Sequence, residues 1–168
     1  LTLPALAARP AEFDPIAEAE AVIAGMPNPP TVSHDGGDRA FYRRTTDSVS
    51  MPKRDTFADA EGYYDTTFHE LTHSTGHQSR VGRHTGATEP FGSADYGQEE
   101  LVAEFGSAYL AQHAGIDAAV VDNQAAYLDN WRRAIKADPK MLVYAAAQAQ
   151  KAADYILGIV PIEPTDES

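Results

Sequence analysis

Apolar residues along this chain gather into five stretches that read as helices, with one short strand-like region set between the first and the second. An alanine-rich stretch follows Asp14-Pro15, which predicts a helix with Asp14 as N-cap, Pro15 at the first helical position and Gly25 just past the end. Residues 26–30, Met-Pro-Asn-Pro-Pro, cannot continue it. Over residues 35–52 the texture changes: Asp-Gly-Gly-Asp marks a turn, and Ala40-Phe41-Tyr42 and Ser48-Val49-Ser50-Met51 predict two short strands of a small sheet. Asp59 is placed to cap the second helix, which runs through Tyr63-Tyr64 and stops at Gly76 in a left-handed cap.

Residues 77–94, rich in Gly, Pro and polar side chains, read as a loop. Asp95 or Ser93 then opens a helix reaching about Gly115; with Asp95 as cap, Gln98 stands in the capping-box position. A fourth helix is expected over about residues 122–137, where Tyr127, Leu128, Trp131 and Ile135 form an apolar stripe suited to core packing. The fifth is framed by Asp138-Pro139 and Gly158, and its alanines from 145 to 153 allow close packing. These elements make an α+β chain, mainly helical with a small N-terminal sheet, and no internal repeat stands out.

Length and composition narrow the picture. With 168 residues, 43% of them hydrophobic, the chain reads as one domain over 1–168, with its core over about 14–158 and tail-like ends. Cysteine is absent, which excludes a disulfide framework, a thiolate nucleophile and a Cys-type zinc site, and leaves His and carboxylates as the strong metal ligands. No signal peptide and no membrane span are expected, and the composition suits the cytoplasm. A chain that begins at Leu1 is expected to be a fragment or processed product with domains upstream. The formal charge of −12 makes the average surface repel phosphate backbones, so unaided nucleic-acid binding is disfavoured. Arg80, Arg83 and His84 form a local basic cluster, read as solvated loop charges.

The chemistry lies in His69-Glu70-Leu71-Thr72-His73, an HExxH motif on the second helix. Residues four apart share one helix face, so His69 and His73 can offer imidazole nitrogens to one Zn²⁺, with Glu70 one step round to take a proton from water. Random placement at this chain's His and Glu content predicts about 0.01 such motifs, so coincidence is a weak rival to function.

A catalytic zinc needs a third protein ligand, and the candidates are His77, His84, Asp95, Glu99, Glu100 and Glu104. Gly76 separates His77 from the helix. The extended HExxHxxGxxH pattern requires a His at position 79, which holds Ser79. Glu100 and Glu104 share a face with Ala103, Ser107 and Ala111, which places two carboxylates on a small-residue seam that a partner helix can approach. We assign Glu100 as third ligand and Glu104 as acceptor for a ligand histidine's free N–H.

The spacing of Glu100-Leu101-Val102-Ala103-Glu104 after HExxH is similar to the gluzincin arrangement. More narrowly, the stretch from Tyr63 to His77, Glu99-Glu100-Leu101-Val102-Ala103-Glu104 and residues 131–157 resemble the zincin-like metallopeptidase domain of ArdC-type antirestriction proteins and related polyvalent proteins of plasmids and phages. The resemblance covers most of residues 38–158. It implies a compact zincin fold with HExxH on a central helix, a bound Zn²⁺ and cytoplasmic deployment with mobile elements. In such relatives a single-stranded-DNA-binding domain precedes the peptidase, so DNA contact is expected only through a domain absent from this chain.

The expected reaction is hydrolysis of a peptide or protein substrate, with Zn²⁺ on His69, His73 and Glu100 and with Glu70 as general base. His77, Arg80, His84 and Tyr96 are candidates for oxyanion or substrate contacts. Substrate is expected as an added strand beside an edge strand at Ser48 to Met51. Two rival readings are a non-catalytic antirestriction or DNA-protection module and a structural zinc with its fourth position filled by protein.

Overall fold

The computed structural model describes residues 13–35, 37–83, 94–117 and 139–159, and for residues 94–96 and 139 the backbone alone. Four α-helices run through them: α1 (Ala17–Gly25), α2 (Ala60–Ser74), α3 (Ala94–His113) and α4 (Pro139–Ile156). Three short strands, β1 (Thr31–Ser33), β2 (Phe41–Arg43) and β3 (Ser48–Ser50), and a 3₁₀ turn (Arg54–Thr56) lie between α1 and α2. The α+β architecture is the expected one. The helix expected over residues 122–137 and the expected tails lie outside the described residues.

The helix ends are where pattern and structure part. α1 starts at Ala17 behind an extended Ile16 with no side-chain cap, so Asp14 and Pro15 stand before the helix, and Gly25 is its last residue rather than the one beyond. Glu18 and Glu20 in its first turn supply the favourable negative charge instead. α2 is capped as expected, with Asp59 Oδ1 accepting the Gly62 N–H at 2.8 Å. α3 begins at Ala94, so Asp95 lies inside the helix rather than at its cap, while Ser93, the other residue expected to open it, lies outside the described residues. α3 and α4 stop as expected on left-handed glycines, Gly115 (φ 74°) and Gly158 (φ 65°). The Ile116 N–H reaches the Ala111 carbonyl at 2.9 Å and the Ile159 N–H reaches that of Asp154 at 2.8 Å, the long return bond of a Schellman ending.

Gly76 is different. The chain passes α2 through right-handed turns, with Thr75 at φ −63°, and Gly76 and His77 donate to the His73 and Ser74 carbonyls at 3.0 Å each. No left-handed cap forms there, because two arginines supply what it would have supplied: Arg83 Nη2 donates to the Thr72 carbonyl and Arg80 Nη1 to that of Ser74, both at 2.9 Å. Guanidinium groups suit a helix C-terminus on charge as well. These arginines are therefore not solvated loop charges; their side chains are 0% and 4% exposed.

The sheet has the order β1-β3-β2, with β1 parallel and β2 antiparallel to β3. Strand β1, three residues behind Pro29-Pro30, was not expected, and it corrects the expected substrate edge: Ser48 to Met51 belongs to the central strand, both of whose edges are paired. Its Val49 and the following Met51 are fully buried. They join Val22, Met26, Tyr63, Tyr64, Phe68, Leu71, Leu110 and Ile156 in the main core. Tyr63 and Tyr64 pack ring against ring at 5.1 Å, and Phe13 and Phe57 each meet the Tyr63 ring edge-on at 5.3 Å. Between α3 and α4 a smaller cluster joins Leu101 and Val102 to Ala145 and Ala149, the use expected for the alanine run.

The approach of α3 to α2 is set by small residues. Ala103, Ser107 and Ala111 are buried, as the seam predicts. Gly106 is tighter still: a Cβ there would collide with Thr72, meeting its Oγ1 at 2.6 Å. The Thr72 hydroxyl is itself tied to the Phe68 carbonyl at 2.8 Å.

Candidate metal centre

The last two turns of α2 and the first turns of α3 face each other, and their polar side chains meet there. His69 and His73 project one turn apart, with ring planes inclined at 78° and Nε2 atoms 3.1 Å from each other. Glu100 reaches from α3 with Oε2 3.6 Å from His69 Nε2 and Oε1 3.5 Å from His73 Nε2. A tetrahedral Zn²⁺ with ligand bonds of about 2.0–2.1 Å holds its ligand atoms roughly 3.3–3.4 Å apart. The histidine pair lies just inside that value and the two Glu100 contacts, made by different oxygens, just beyond it, while one donor atom from each of the three residues lies within 4.8 Å of the others. His69, His73 and Glu100 are the one group found among the described residues whose donor atoms gather as metal ligands do.

The charge of the pocket fits a cation as well. Burial pushes the His69 imidazole down, but Glu100, Glu70 and Glu104 around it prevail and carry it up to about 9. Glu104 is pushed above the ordinary carboxylate range, first by burial; His69 and His73 oppose that shift while Asp65 and Glu100 add to it. Carboxylates thus outweigh burial around the His69 ring. The Glu70 side chain belongs to a residue 7% exposed, and among the described residues no hydrogen bond or ion pair engages its carboxylate.

The outward nitrogens of both histidines face carboxylates. His69 Nδ1 lies 3.7 Å from Glu104 Oε1, the side on which an acceptor was expected. His73 Nδ1 lies 3.3 Å from Glu99 Oε1. Glu99 is gripped in turn by Arg83, Nη2 to Oε1 at 2.7 Å and Nε to Oε2 at 3.1 Å. Glu99 is thus a partner of His73 Nδ1 rather than a candidate ligand, and Arg83 is its buried counter-charge rather than a solvated one. The available signal was the Glu99-Glu100 pair itself, since adjacent helix positions point about 100° apart and so serve different neighbours.

The other candidates stand apart from this cluster. His77 Nδ1 accepts the Ser79 N–H at 3.2 Å and pairs with Ser79 Oγ at 2.8 Å. Arg80 grips both oxygens of Asp47 at 2.8 Å and donates to the Asn28 and Ser74 carbonyls, which makes it an internal clamp. His84 and the Tyr96 side chain lie outside the described residues.

Two histidines one turn apart on a central helix, an intervening glutamate and a carboxylate from the next helix define a zincin-like domain. The chain belongs to the family described as zincin-like metallopeptidase, whose model matches residues 17–148. It is similar to two Escherichia coli proteins named DNA primase TraC, at 43% identity over 127 residues and 39% over 155. The first alignment covers 76% of this chain and 9% of the relative, and the second covers 92% and 14%, so the chain spans a small part of their length. The antirestriction protein ArdC of plasmid R388 is 37% identical; its Mn(II)-bound crystal structure superposes with a TM-score of 0.68 over 88% of this chain and 55% of that one. Its metal-free form gives 0.62. Among the described residues no helix is long and apolar enough to cross a membrane.

Proposed function

We propose that this chain is a zinc-dependent peptidase module serving a longer antirestriction-type protein inside the cell. His69, His73 and Glu100 hold the ion. A Zn²⁺ so placed supplies Lewis acidity to the scissile carbonyl and acidifies water at neutral pH. The chain's own residues do the rest: Glu70 takes the proton of the attacking water and delivers it to the leaving amine, while Glu104 and Glu99 hold the two imidazoles with Nε2 turned inward.

The observation that carries this reading is the Glu70 carboxylate, buried within electrostatic reach of the His69 ring and without a hydrogen bond among the described residues. A buried carboxylate beside a ligand ring is placed to act on a water held there. A mobile water is the partner that a general base requires. The −12 charge supports a peptide rather than a phosphate backbone as the group met directly. Single-stranded DNA would then be met through a domain outside this chain.

The test is Glu70→Gln beside Glu100→Ala, assayed for bound zinc and for cleavage of a fluorogenic peptide library. Glu70→Gln should keep the parent's zinc content and lose at least about 100-fold in cleavage; Glu100→Ala should lose the metal. Relatives named for antirestriction and priming favour a second, non-catalytic reading. Parent protein that binds zinc yet cleaves nothing, with antirestriction unchanged in Glu70→Gln, would establish it over ours.

A further inference from the structure

We infer that Arg83 is a positioning residue for the metal centre, acting through Glu99 to fix the ring of His73. The inference rests on the reading of His73 as a ligand and adds a residue that the HExxH pattern does not contain.

The two ligand histidines are not equivalent. Glu104, opposite His69, keeps company with other negative groups, Asp65 and Glu100. Glu99, opposite His73, has a cation of its own, because the Arg83 guanidinium meets both its oxygens in the forked geometry that suits a carboxylate. The oxygen that faces His73 Nδ1 is the one that Arg83 Nη2 binds at 2.7 Å. Arg83 is in turn fixed from α2, with Nη1 on Thr75 Oγ1 at 2.6 Å and Nη2 on the Thr72 carbonyl at 2.9 Å. Its side chain is 4% exposed, so water does not substitute for any of these partners.

Thr72 is the residue immediately before His73. Arg83 therefore grips the backbone that carries the ring and the carboxylate that orients it. With the Nδ1 proton held toward Glu99, the Nε2 lone pair is left pointing at Glu100 and His69. The same grip pins the second turn of α3 against the end of α2, and Glu100, the next residue along, inherits that placement.

Charge alone predicts the opposite outcome. A guanidinium near a divalent cation repels it, so deleting Arg83 should tighten metal binding if the group acts only through its field. If it acts by position, deletion should weaken binding, and the sign separates the two.

The experiment measures the Zn²⁺ dissociation constant of the full chain by competition with a chromophoric chelator, for the parent, Arg83→Gln, Glu99→Gln and the double variant, with circular dichroism confirming the fold. Each single change should weaken zinc by about 10- to 100-fold, and the double should be no weaker than the worse single, since both act through one contact. Arg83→Lys, which keeps the charge and loses the fork, should fall between the parent and Arg83→Gln. Unchanged or tighter binding in folded Arg83→Gln and Glu99→Gln, or additive losses, would overturn the inference. Should Arg83→Gln not fold, Glu99→Gln and Arg83→Lys decide by the same criteria. His73→Ala keeps the two failures apart: if it too binds zinc like the parent, the ligand assignment has failed, whereas loss of zinc there with parental binding in the Arg83 and Glu99 variants defeats the positioning role alone.

Discussion

Helix α2 is built in two different ways along its length. Up to Phe68 its buried side chains are mainly aromatic, with Tyr63, Tyr64 and Phe68 in the main core and the rings of Phe13 and Phe57 against Tyr63. Beyond Phe68, apart from Leu71, it buries polar groups. Thr72, Ser74 and Thr75 are fully covered, and each returns its hydroxyl to a carbonyl one turn back, at 2.8, 2.6 and 2.7 Å. The difference teaches where stability and chemistry reside. Aromatic area holds the helix in the fold, while the end that bears the histidines is filled with self-satisfied hydroxyls and clamped charges, among which the imidazoles and carboxylates meet.

The sharpest way to test this division is Phe68→Ala. Removing a fully buried ring should cost about 3–5 kcal/mol, read by denaturant unfolding. Zinc affinity of the folded fraction should stay within about threefold of the parent, and a tenfold loss would show that the halves are not separable. A methyl at the helix crossing should break the division from the other side. Gly106→Ala drives a Cβ into Thr72, and the overpacking should cost about 1–3 kcal/mol while weakening zinc at least tenfold, because α3 carries Glu100. Loss of stability with parental zinc affinity would mean that the crossing distance does not set the site. Thr67→Val should do least. Its hydroxyl bonds the Tyr63 carbonyl at 2.8 Å, an acceptor that helical backbone already serves, so stability should move by no more than about 1 kcal/mol.

What the sequence disclosed was whatever is encoded locally. His69, Glu70 and His73 lie within five residues, Glu100 and Glu104 are one turn apart on a neighbouring helix, and Gly115 and Gly158 end their helices by conformation alone. What it withheld depends on distant partners. Strand β1 is three residues long and exists because β3 lies beside it. Helix α2 ends ahead of Gly76 as expected but without the left-handed cap, because arginines from beyond the helix take the Thr72 and Ser74 carbonyls. Arg80 and Arg83 looked like solvated charges because nothing adjacent in sequence announces Asp47 and Glu99 as their partners. Asp14 and Asp95 were plausible caps displaced by a few residues, since propensity fixes an element better than its boundary.

Arg80 touches both non-glycine residues that adopt left-handed backbone among the described residues, Asn28 at φ 43° through its carbonyl and Asp47 at φ 47° through its carboxylate. Such conformations cost of order 1–3 kcal/mol each and persist where the surroundings over-determine them. In lineage terms, positions 47 and 80 should drift together. A descendant that lost the acid would strand a guanidinium in the interior, and one that lost the base would leave two awkward bends without their common anchor.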